Sequence, residues 1–243
     1  MNKTQNIISI SNLTHIYKNK KALDDLNLEI SKNEIFGFLG HNGAGKTTTI
    51  SILTTLLKPT SGNAKICGFD VVKDSMEVKK LIGYLPENVK FYDNLTAYEN
   101  LEYFAKISGI KNPKEKIFDI LKFIDFEGIE NKKIGEFSKG MHQRIGIAQA
   151  IIHEPQVLFL DEPTSGLDPM GIKKLREIII KLNKEKQMTI FMNTHLLSEV
   201  AKVCTTIGVL NSGKLIYKNS LKETLKRFNN ESSLEEIYFN IEQ

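Results

Sequence analysis

Eight consecutive residues, Gly40-His41-Asn42-Gly43-Ala44-Gly45-Lys46-Thr47, fit GxxxxGK[ST] and constrain the fold more than any other part of the chain. The pattern works where a glycine turn leaves a buried strand and opens a helix, so that successive backbone N–H groups wrap a phosphate at the helix N-terminus. The context is present. Glu34 to Leu39 reads as a buried strand, and Thr48 to Leu57 as a helix with Ile50, Leu53 and Leu57 on one stripe, stopped by Pro59. Lys46 is placed to reach the terminal phosphates and the Thr47 hydroxyl to coordinate Mg²⁺, with Thr48 next in the first turn. Further on, the apolar run Leu158-Phe159-Leu160 ends in Asp161-Glu162. The aspartate supplies a second protein contact to the ion, which leaves Glu162 to orient water. Together the two stretches describe a nucleoside-triphosphate site with its own catalytic base.

Composition narrows the setting. At 243 residues the chain can build one large α/β domain or two small ones. No apolar run approaches the roughly 20 residues of a membrane-spanning helix, and the polar start Met1-Asn2-Lys3-Thr4-Gln5-Asn6 lacks a signal-peptide core. A chain that does not enter a membrane by itself is expected. Cys67 and Cys204 sit in apolar surroundings without metal-ligand spacing, which predicts buried reduced thiols. A net charge of +4 from 33 basic and 29 acidic residues, with groups such as Lys20-Lys21 and Lys132-Lys133 reading as solvated faces, gives little support to nucleic-acid binding.

Along the chain, residues 7 to 40 alternate short β patterns with turns, including Ile7 to Ile10 and Leu26 to Ile30. Thr60-Ser61-Gly62-Asn63 reads as a turn into Ala64 to Cys67, and Leu81 to Leu85 as a buried strand closed by Pro86. The character then becomes helical. Thr96 and Glu99 form a capping box before Tyr98, Leu101, Phe104 and Ile107, and Gly109 ends that helix. Asn112 is expected to cap a second helix, with Pro113 at its first position and Ile117, Ile120, Leu121 and Ile124 at helical spacing. From Val157 the α/β pattern returns, with strands Val157 to Leu160, Met188 to Met192 and Thr206 to Leu210. Ser233 and Glu236 read as a further capping box near the C-terminus.

The segment Phe137-Ser138-Lys139-Gly140-Met141-His142-Gln143-Arg144 resembles the signature of ABC ATPases. Ser138, Gly140 and Gln143-Arg144 match that family's pattern, while Lys139 and Met141 depart from it. Ser165-Gly166-Leu167-Asp168-Pro169 resembles the loop that crosses the subunit interface and links its two sites, so Asp168 joins the nucleotide contacts. His195, after Met188 to Met192, matches the switch histidine that contacts the γ-phosphate and holds the catalytic glutamate and water. Tyr17 fits the aromatic residue that stacks on adenine. Glu87 stands where family members usually have glutamine, and a carboxylate there can still coordinate Mg²⁺.

The resemblance implies an α/β fold: a P-loop NTPase of ABC type, with a mixed-sheet core, an N-terminal β subdomain and an inserted α-helical subdomain. It spans 1–243 as one domain, with 1–87 and 136–243 as the nucleotide-binding core and 88–135 as the helical insertion. It implies ATP and Mg²⁺ as ligands and a head-to-tail dimer of two copies around ATP, each copy presenting the helix start at Ser138 to the other's γ-phosphate. Glu162, His195 and Lys46 are then the catalytic residues. With no membrane segment of its own, such a subunit is expected to drive a separate membrane-spanning permease from the cytoplasmic face. Contact is expected through the helical insertion and the segment from Glu87 to Leu101, with Phe91, Tyr92 and Leu95 as an apolar landing site. The signature form, the Leu85-Pro86-Glu87 stretch and the short C-terminal end look most like ATP-binding subunits of prokaryotic exporters of drugs, peptide antibiotics or ions. A soluble ABC ATPase of translation or DNA repair shares these motifs and is the alternative.

Overall fold

The computed structural model describes residues 6–228 and 234–242. The chain opens with two long strands, β1 (Asn6–Tyr17) and β2 (Lys20–Ser31), before the short buried β3 (Ile35–Leu39) and helix α1 (Lys46–Leu53). Then come β4 (Ser61–Ile66), β5 (Phe69–Asp70), α2 (Ser75–Leu81) and β6 (Ile82–Leu85). The helical stretch carries α3 (Ala97–Ile107), α4 (Lys114–Phe123), a 3-10 turn (Ile134–Glu136) and α5 (Lys139–Ile151). The chain continues through β7 (Val157–Asp161), α6 (Pro169–Lys186), β8 (Thr189–Asn193), α7 (Leu197–Val203), β9 (Thr206–Asn211) and β10 (Lys214–Ser220). Helices α8 (Leu221–Arg227) and α9 (Leu234–Glu242) follow.

Two sheets and a helical layer stack face to face. The central sheet has the order β10-β9-β3-β8-β7-β6, parallel except at β10, and the outer sheet is antiparallel in the order β2-β1-β4-β5. Strands β3, β7 and β8 are buried at every position because both faces of the central sheet are covered. Their side chains alternate between two cores. Phe36, Phe38, Val157, Phe159 and Phe191 pack with the outer sheet and α1, while Ile35, Leu39, Leu158, Leu160 and Ile190 pack with the helices. The helical stretch therefore shares its core with the sheet: Leu101, Ile117, Leu121 and Ile134 belong to the same apolar cluster as Leu85 and Leu160.

Several local expectations are corrected. Helix α1 begins at Lys46 and ends at Leu53, not at Leu57. The Thr54 hydroxyl bonds back to the Ile50 carbonyl, Thr55 turns to φ 65°, and both Leu56 and Leu57 donate to Ser51 O, which closes the helix before Pro59. Residues 61–63 are not a turn but the start of β4, paired with β1 from Ser61↔Thr14 onwards. Leu81 is the last residue of α2, so the strand begins at Ile82. The Thr96–Glu99 capping box is formed in both directions. In α3, however, Ala97, Asn100, Leu101 and Ala105 face inward, and Ile107 is 67% exposed. Asn112 does not cap α4: Pro113 holds the N-cap position, with no side-chain hydrogen bond. Ser233 lies outside the described residues. Both cysteines are free, Cys204 buried and Cys67 half-buried. No helix among the described residues is long and apolar enough to cross a membrane.

Candidate functional site

The carboxyl ends of β3, β7 and β8 open onto a cleft of about 680 Å³. The loop 40–45 forms its floor. Gly43 and Gly45 stand at φ 86° and 111°, and a Cβ on Gly45 would lie 2.4 Å from the Ala22 carbonyl oxygen, so only glycine lets the loop pass beneath β2. Ala44 is buried behind the loop, donating to His41 O at 3.1 Å and accepting from Gly213 N at 2.9 Å. The buried Lys46 rests its ammonium on the carbonyls of Gly40 at 2.6 Å and His41 at 3.2 Å. Helix α1 has neither a side-chain cap nor an acidic residue in its first turn, so its positive end faces the cleft uncompensated.

The opposite wall comes from adjacent strands in register, Asp161 of β7 against Asn193 of β8. Asn193 Nδ2 donates to Asp161 Oδ1 at 2.5 Å, while Asn193 Oδ1 is buried with no partner among the described residues. Burial pushes the Asp161 carboxyl above its usual range, and the charges of Glu162 and Glu87 push the same way. The Asn193 hydrogen bond and Lys46 pull it back. Glu162 leaves the strand at φ 48°, in the left-handed region that costs an ordinary residue of order 1 kcal/mol or more. Its N–H donates to Asn193 O at 2.9 Å, and its Oε2 accepts from His195 Nδ1 at 2.8 Å and from His195 N at 3.4 Å. Since a carboxylate only accepts, Nδ1 carries the shared proton, which leaves Nε2 for another partner.

Most of the sequence-predicted residues meet in this cleft: Tyr17, Gly40, His41, Asn42, Gly43, Gly45, Lys46, Thr47, Thr48, Glu87, Asp161, Glu162 and His195 all line it. Ser138, Gly140 and Asp168 do not line it. Ser138 caps α5, accepting from Met141 N at 3.3 Å, and Asp168 caps α6, accepting from Gly171 N at 2.9 Å. These two helix starts lie together, with Gly140 against Leu167 and the Lys139 ammonium against Gly166. Sequence reasoning missed Lys20, Ala22 and Asn193, which also line the cleft. Asn193 had a readable signal: a polar residue ending a buried strand, like Asp161. Lys20 and Ala22 had none, because only the sheet pairing brings β2 across the loop. The oxygen-bearing side chains that line the cleft are hard donors, the Thr47 hydroxyl, the Asp161 and Glu87 carboxylates and the Asn193 amide with its orphaned Oδ1, a set whose chemistry fits Mg²⁺.

A glycine loop cradling a helix start, facing an aspartate-glutamate strand end with a histidine clasp, defines the class: a nucleotide-binding ATPase core built on an outer β sheet and a helical layer. The sequence profile of the family described as ABC transporter matches residues 23–165. The chain is 45% identical to the bacitracin transport ATP-binding protein BcrA of Bacillus licheniformis, over 91% of this chain and 72% of that protein. A solved ATP-binding subunit of an ABC transporter superposes with TM-score 0.85 at 28% identity, covering 98% of this chain and 100% of the other. The cassette MJ0796, solved as a dimer in a post-hydrolysis state with ADP and Pi, superposes with TM-score 0.79 at 28% identity, covering 88% of this chain and 98% of the other. The chain belongs to the ABC transporter family, as an ATP-binding subunit that hydrolyses ATP.

Proposed function

We propose that two copies of this chain close head to tail around Mg²⁺-ATP and, by hydrolysing it, drive a separate membrane permease from the cytoplasmic face, in the direction of export. The observation that carries this reading is the clasp of Glu162 by His195 at 2.8 Å beside the glycine loop. In this mechanism the loop amides and the α1 N-terminus bind the β- and γ-phosphates, and Lys46 swings from the loop carbonyls onto them. Thr47 and Asp161, joined by Glu87, would hold Mg²⁺, which would neutralise phosphate charge. Glu162 orients the attacking water and takes its proton, while His195 fixes the Glu162 carboxylate and turns Nε2 to the γ-phosphate. Tyr17 stacks on the base.

Ser138, Gly140 and Asp168 lie outside the chain's own cleft because their ligand is the nucleotide held by the second copy. That arrangement makes ATP favour the closed dimer, and its hydrolysis the open one. Export is supported by the likeness to a bacitracin transport protein. The permease is expected to meet the partly exposed Phe91, Tyr92 and Leu95 beside Glu87. Glu162→Gln is expected to lower Mg²⁺-dependent hydrolysis by about 10²-fold or more and to elute with ATP as a dimer in gel filtration. A variant that stays monomeric at saturating ATP would overturn the dimer mechanism.

A further inference from the structure

One buried carboxylate has no part in the mechanism above. Glu199 lies on α7, one turn beyond His195, and is only 6% exposed. Its Oε1 meets Lys202 of its own helix at 3.1 Å. Its Oε2 comes within 3.3 Å of Arg176 Nε on α6, yet the two atoms are not aligned for a hydrogen bond, and each is left without one among the described residues. A charge this deeply buried is costly unless well paired, and this pair is in contact without the alignment of a hydrogen bond. The two helices lead to the two ends of the proposed site. Helix α6 begins at the Asp168 cap, beside Gly166 and Leu167, and α7 follows the turn that holds His195 against Glu162.

We propose that Glu199 and Arg176 are a positioning pair that tightens when a second copy presses on loop 165–168, carrying the movement of α6 to the His195 turn and so setting the His195–Glu162 clasp. This rests on the dimer reading above. It gives the two nucleotide sites a mechanical link through a two-position contact, which makes hydrolysis cooperative in ATP.

The test compares the purified full chain with the double variant Arg176→Met/Glu199→Met. This variant removes both charges at similar volume and avoids leaving one buried charge alone. Arg176→Lys, which keeps the cation on α6, serves as the conservative control. The double variant is expected to lose about tenfold in kcat and its cooperativity in ATP, with the Kd for a fluorescent ATP analogue unchanged within about twofold and the melting temperature retained. Arg176→Lys is expected to keep most of the wild-type kcat and its cooperativity. A double variant with wild-type kcat and cooperativity would overturn the inference alone, reducing the pair to a helix fastener. Loss of kcat only in proportion to loss of folded protein would overturn it equally. A wild-type chain that stays monomeric at saturating ATP would instead defeat the underlying dimer reading, and this inference with it.

Discussion

Tyr17 reaches the cleft from the last position of β1, where Lys18 at φ 52° turns the chain into β2 and leaves the ring 47% exposed, braced edge-on by the buried His15 at 4.4 Å. An exposed ring held from below is suited to stacking on any base. Tyr17→Ala is therefore expected to weaken ATP and GTP binding alike by about 1–3 kcal/mol, read by competition with a fluorescent nucleotide. Loss of affinity for one base only would contradict a stacking role. The other cleft residues show what such a site costs its fold. Asp161 is a buried carboxylate whose charged form is disfavoured by its surroundings, and Glu162 keeps a left-handed backbone at the point where its side chain meets His195.

Among the elements, α3 and α5 show opposite degrees of legibility. The Thr96–Glu99 box was readable because capping is local chemistry, and Thr96→Ala is expected to cost about 1 kcal/mol, measured by denaturant unfolding, with Mg²⁺-ATPase activity kept. The turn just after α5 carries a feature that no motif announces: His153 Nε2 lies 2.9 Å from Ile82 O at the start of β6. Burial lowers its pKa below the ordinary 6.5, with Lys116 acting the same way and the Ile82 hydrogen bond opposing. The unfolded chain then takes the proton first, so stability present at neutral pH is lost as pH falls through that ordinary value towards the folded one. His153→Gln keeps an amide donor for Ile82 O and is expected to flatten the fall in melting temperature between about pH 7 and 5. An unchanged acid limb would remove His153 as its source. The ends of α1 were misread for a related reason: Leu57 fits the helical stripe, but Thr54 and Thr55 redirect the backbone before it.

At the scale of the whole molecule, the central sheet joins two cores. Phe36, Phe191 and Phe159 stand in register across β3, β8 and β7, with ring centroids 5.3 Å and 5.5 Å apart, and Phe38 closes the group at 5.2 Å from Phe191. Phe191→Ala empties the middle of this cluster, two residues before Asn193, and is expected to cost about 3–5 kcal/mol and to lower ATP binding with it. A melting temperature near that of the wild type would refute this placement of the core. The glycine loop and the strand-ending acids could be read from the sequence because each depends on a few adjacent residues whose chemistry is fixed by type and spacing, whereas His195 stood out only through the family resemblance. The sequence could not say that Asn193 stands beside Asp161, that β2 brings Lys20 and Ala22 over the loop, or that Glu199 meets Arg176. Those contacts join residues distant in the chain, and they arise only when strand register and helix packing bring separate segments within a few ångströms.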